Sequence, residues 1–192
     1  MCVPAPIPGD RCICVNGSPF VAKELGLADS DFTVISGYTT GLKSEKSRAT
    51  VPVWKGLRTQ EVLFVETGDT EAHARAVLDE IGFQYAGFTK LSKHERAAII
   101  VEVCGVELGL GNHNDRVSNG MFAATIAAWA GAREIVMCGF SLKGGHSYIE
   151  GNTPRHNLNG DIAFFAIATK IGMNIKTTST EIHEACGIPL VA

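Results

Sequence analysis

The sequence predicts an α/β fold: a single Rossmann-like, mainly parallel sheet with helices on both faces. Three observations lead there. Short strand-like runs alternate with helical periods along the whole chain. Those runs are continuously apolar rather than alternating, as strands covered on both faces must be. Polar turns carrying glycine follow the strand ends, the edge at which open α/β sheets bind their ligands. With 192 residues the chain suffices for one sizeable domain. We therefore expect an irregular N-terminal arm over 1–10, rich in proline, and one domain over 11–192.

Taken in order, Arg11 to Val15 is a short apolar strand ending at Asn16-Gly17-Ser18-Pro19, with a helical stretch to about Leu25. Thr33 to Ser36 is a second strand that stops at Gly37, and residues 38–50 are polar and read as loop, with Lys43, Lys46 and Arg48 on a solvated face. Glu61 to Val65 is a third strand. Ala72, Ala76, Leu78 and Ile81 then recur near helical spacing over 70–81, with Asp69 or Thr70 as cap. Ser92 and Glu95 have capping-box spacing and open a helix to Val103. Ser118 to Ala130 is so apolar that it should be a helix with no wet face, closed by Gly131. A strand over 134–138, a helix over 159–172, a strand over 174–178 and a short terminal helix complete the order.

Between Cys138 and Ile162 runs the most unusual segment, GFSLKGGHSYIEGNTPRHNLNGD. A connection of about twenty residues without an apolar period is longer than compact domains need, and such loops are typically functional or disordered. This one gathers Lys143, His146, Tyr148, Glu150, Arg155 and His156 between two buried elements, so we read it as an active-site loop. Two further segments qualify. The turn at Asn16, Gly17 and Ser18 offers backbone amides and a helix start to an anion, although a plain tight turn explains it equally well. Ser118, Asn119 and Gly120 open the most apolar helix, either as caps alone or as a hydrogen-bonding shelf. Gly139 and Lys143 begin the long loop.

Bulk properties remove several classes. A net charge of −3 gives no case for nucleic acid, which calls for a basic face. No run reaches the roughly 18 to 20 apolar residues of a membrane span, and the N-terminus lacks signal-peptide character, so a bacterial cytoplasmic protein is expected. The six cysteines show no zinc spacing; they are read as buried free thiols, with Cys12 and Cys14 on opposite sides of their strand. No HExxH or paired-cysteine pattern appears, so no metal site is assigned.

The ordered set VNGSP, RVSNGMFAA, GAREIVMCGFSLKGGHSY and RHNLNGDIAFFA resembles the bacterial sialyltransferases that use CMP-activated sialic acid. Their asparagine–glycine turn, their (I/V)-T-S-G helix start and their tyrosine-bearing strand and loop occur in the same order. Their H-x-x-N-x-D-I segment matches His156, Asn159, Asp161 and Ile162. The resemblance covers about 75 residues of the second half plus the first turn. It implies the sialyltransferase-like variant of the GT-A fold, a nucleotide-sugar-binding domain, and a metal-independent, inverting glycosyltransferase. The acidic sugar would pass from a CMP-sugar donor to a glycan hydroxyl, with no cofactor. His156 would be the base and Tyr148 the donor to the departing phosphate, with Asn16, Ser118, Asn119 and Gly120 on the nucleotide. A homo-oligomer is left open.

Three positions depart from the family. Asn119 replaces a serine, Leu142 or Lys143 stands where a second phosphate-binding tyrosine is expected, and Gly37 (or Ser36) stands where an asparagine is expected. Two other readings therefore stay open: a non-catalytic nucleotide- or glycan-binding relative, and a pterin pyrophosphokinase-like transferase. The latter would need paired acidic ligands at strand ends, which these strand ends do not supply.

Overall fold

A computed structural model describes residues 10–27, 29–108, 115–143 and 156–191. They fall into two compact units, one up to Glu95 and one from Arg96 onward. The first is built on four strands, β1 (Ile13–Val15), β2 (Ser30–Ser36), β3 (Arg58–Val65) and β4 (Gln84–Leu91), ordered β1-β2-β3-β4 and parallel throughout. Helices fill the crossovers: α1 (Ser18–Glu24), α2 (Gly37–Thr40), α3 (Glu45–Thr50) and α4 (Glu71–Glu80). The mixed α/β class with a parallel sheet is as the apolar runs predict. Ile35, Val62 and Phe64 from the central strands meet Trp54, Leu78 and Phe83, and all six are essentially inaccessible to solvent.

Trp54 does more than fill this core. Its indole Nε1 donates to the Asn16 carbonyl at 2.8 Å, holding the turn after β1. Trp54→Phe removes that donor and part of a fully buried ring. It should cost about 2–4 kcal/mol, from the cavity and the stranded carbonyl together. Urea denaturation reads this directly, and a loss below about 1 kcal/mol would mean that the core refills around the smaller ring.

The second unit takes most of α5 (Lys93–Cys104), then α6 (Asn119–Trp129), β5 (Ile135–Met137), α7 (Leu158–Lys170), β6 (Ile175–Thr177) and α8 (Thr180–Cys186). β5 and β6 pair in parallel. Met121, Phe122, Phe164, Phe165, Ile175 and Ile182 are its buried centre. The predicted caps are present. Ser118 accepts from the Met121 amide, Thr70 from the His73 amide, and Ser92 and Glu95 exchange both capping-box bonds. Among the described residues no helix is long and apolar enough to cross a membrane.

Four expectations need correction. Residues 38–50 are not loop: they form α2 and α3, and a reciprocal Ser44–Ser47 cap starts α3 without any apolar signal. β4 has no counterpart in the sequence reading. Its run QYAGFTKL is half polar, and its residues are half-exposed or exposed throughout. α6 is buried over its first half only, and Trp129 at its end is 53% exposed. Cys12 and Cys14 do not face opposite sides. A strand repeats its direction every second residue, and their Sγ atoms lie 4.0 Å apart. Both are free thiols, which is the redox state expected. The hydrogen bond with Cys12, helped by burial, pushes the Cys14 thiol far up, while the same bond lowers Cys12.

Candidate functional site

Residues on both candidate helix starts of the second unit are tied to one stretch of backbone. Residues 115–118 lead into α6, and α7 grips them from one side. Asn157 Nδ2 donates to the Arg116 carbonyl at 2.9 Å, and the Ser118 amide donates to Asp161 Oδ1 at 2.7 Å. Gly160 lies directly against this backbone. A Cβ there would stand 2.7 Å from the Asp115 carbonyl oxygen and nearer still to the Arg116 carbonyl. The helix pair can approach this closely because position 160 has no side chain.

From the other side comes Arg96 of α5. Its guanidinium donates to the Val117 carbonyl at 2.6 Å, to the Ser118 carbonyl at 3.3 Å and to Asn119 Oδ1 at 3.1 Å. Its carbon sits 4.9 Å from the Phe122 ring centre. The residue as a whole is partly exposed, but the charged end is enclosed. Desolvation there pulls its pKa down to about 10, with Arg116 adding to the shift and the Asp161 carboxylate opposing it. Asp161 itself is fully buried.

Gly120 supplies the third junction. A Cβ on it would run into the Phe140 ring, so the first turn of α6 also meets the segment after β5. In that segment Gly139 takes a left-handed φ of 74°, and Ser141 donates to Glu181 at 2.8 Å while accepting from the Lys143 amide. Ser118, Asn119, Gly120 and the 139–143 segment are therefore assembled in one unit, to which His156, next to Asn157, also belongs. His156 and Lys143 are exposed. Tyr148, His146, Glu150 and Arg155 lie outside the described residues.

Asn16, Gly17 and Ser18 belong to the other unit. The turn is where the sequence reading places it, and within it Asn16 takes the left-handed conformation, at φ 49°, whereas Gly17 is right-handed. Ser18 Oγ accepts from the Val15 amide at 2.7 Å, which closes the turn on itself. The departure at position 37 has a steric cause. A Cβ on Gly37 would stand 2.8 Å from the Thr67 carbonyl oxygen, so the asparagine of the resembling family has no room here.

Sequence reading overlooked Arg96, which looks like any cation on an amphipathic helix and is defined only by contacts more than twenty residues away. It also overlooked an Asp69–His73 pair after β3. Asp69 accepts from the Thr40 hydroxyl at 2.7 Å, the Thr70 amide at 2.9 Å and His73 Nδ1 at 2.8 Å. Burial opposes ionisation of Asp69, yet these three donors outweigh it and hold the carboxyl below its ordinary value. Among the described residues no three His, Cys, Asp or Glu side chains gather as metal ligands would. No family model, curated protein or solved structure matches the chain.

Proposed function

We propose that the protein is a glycosyltransferase of the sialyltransferase-like type, acting in the bacterial cytoplasm on a CMP-sugar donor and a glycan acceptor. One observation carries the reading: the residues on the two motif-bearing helix starts, Ser118 with Asn119 and Asn157 with Asp161, are joined through one strip of backbone. A base at His156 and a nucleotide shelf at 118–120 need such a fixed relation, because displacement at a sugar carbon depends on alignment. In the proposed step the acceptor hydroxyl gives its proton to neutral His156 while its oxygen attacks the anomeric carbon. The bond from that carbon to the phosphate oxygen breaks, and CMP departs with inversion. Tyr148 would donate to the phosphate as its charge grows.

The first test is nucleotide choice. CMP should raise the melting temperature and bind with clear preference over UDP and GDP, since a ligand held only by the folded state stabilises it. Asn119→Ala should weaken CMP. Calorimetry that finds no preference for CMP would overturn the reading. CMP binding with no transfer from any CMP-sugar would leave the non-catalytic binding relative.

A further inference from the structure

We infer that Arg96 is a positioning residue for the nucleotide shelf, setting the direction of the first amides of α6 without touching the ligand. The inference takes its ligand from the CMP reading above, but its geometry stands without it. A helix start presents free amides only if its backbone is held in one orientation. From within α6 the hold on Ser118 is the regular bond from the Phe122 amide to its carbonyl at 3.0 Å and a side-chain cap at 3.4 Å, a long and weak bond. The restraints on the peptides of residues 116 to 118 come from outside.

Arg96 supplies those that act on the carbonyl side. One terminal nitrogen reaches both the Val117 and Ser118 carbonyls, and the other reaches Asn119 Oδ1. A planar fork suits this: a lysine ammonium, with its donors on one nitrogen, could take the two carbonyls but not Asn119 Oδ1 as well in their fixed spread. Asp161 acts on the opposite side, taking the Ser118 amide. The peptide between Ser118 and its predecessor is thus held at its oxygen end by a cation and at its nitrogen end by an anion. The guanidinium also lies over the Phe122 ring, which fixes its plane from a further direction. An arginine needed only for packing would not have to spend its fork on three acceptors of a single turn.

Asn119 is also fixed in this way. Because its Oδ1 accepts from Arg96, the amide nitrogen of its side chain is turned to the other side. A serine, which the resembling family has at this position, has no second polar end to orient. The substitution to asparagine and the presence of Arg96 then form one arrangement in this chain.

The test uses Arg96→Lys and Arg96→Met in the full protein, read by backbone amide exchange and by CMP calorimetry. Arg96→Lys keeps the charge. It should speed exchange at the amides of residues 118 to 121 by roughly tenfold or more, while the core amides of Phe164 to Ala168 stay at the wild-type rate. The CMP dissociation constant should rise by about five- to tenfold, with the larger effect in Arg96→Met. Uniformly faster exchange across the unit would make Arg96 a packing residue and overturn the proposal, as would unchanged exchange at 118 to 121. If the local exchange rises but the wild type binds no CMP, the positioning role stands and the nucleotide reading falls. Should neither variant fold, the wild type still decides: its Arg96 guanidinium protons must show hindered rotation in NMR, and a freely rotating group overturns the proposal.

Discussion

His156→Ala is expected to abolish sugar transfer, by roughly 10²- to 10⁴-fold for the loss of general-base catalysis, with CMP affinity nearly intact. A sugar hydroxyl holds its proton at neutral pH, so attack on the donor carbon needs a base beside it. His156 immediately precedes Asn157, whose side chain is bonded to the Arg116 carbonyl, so its backbone is anchored while its imidazole is exposed. An exposed ring contributes little to stability, and the melting temperature should therefore be unchanged. His146→Ala is the control and should be the milder change. If His146→Ala is inactive and His156→Ala active, the base lies elsewhere in the long loop.

The largest effect on the fold should come from Gly160→Ala, a destabilisation of about 3 kcal/mol or more, measured by denaturant unfolding. An added methyl group would overlap the Arg116 carbonyl and crowd the Asp115 oxygen. Neither can give way cheaply, because Asn157 and Asp161 hold the same backbone. Gly120→Ala gives the contrast. Its obstacle is the ring of Phe140, a half-buried side chain that can turn aside, so its cost should be clearly smaller. Equal losses at the two positions would mean that the 115–118 backbone yields as readily as a ring.

Much of the fold was legible because its physics is local. β2, β3, α4, α6 and α7 carry apolar runs or helical periods, β5 and β6 are short runs of three residues, and all these signals lie within one stretch of chain. The misses share a different cause. α3 rests on two serines bonding to each other's backbone, which polarity alone cannot separate from a loop. β4 is held by its ladder to β3 and by Tyr85 and Phe88, which are only partly buried against the core, so its sequence has little reason to be apolar throughout. The candidate site divides in the same way. Ser118, Asn119, Gly120 and His156 stand out as residue types at helix starts. Arg96 does not, since an arginine's role depends on which acceptors reach it from far along the chain. Gly37 was noticed only as an absent asparagine; the reason, the Thr67 carbonyl, is a property of two strand ends brought side by side.

The polar make-up of β4 also bears on how the protein behaves in concentrated solution. Among the described residues β4 pairs with β3 alone, so one row of its amides and carbonyls is left outside the sheet's own ladder. A long apolar border of that kind would recruit strands from other molecules and seed aggregates. Here the border carries Gln84, Thr89 and the charged Lys90, all exposed, with Gly87 in its middle. A second molecule docking along it would have to strip water from the lysine, a cost that works against the sheet growing from one molecule into the next.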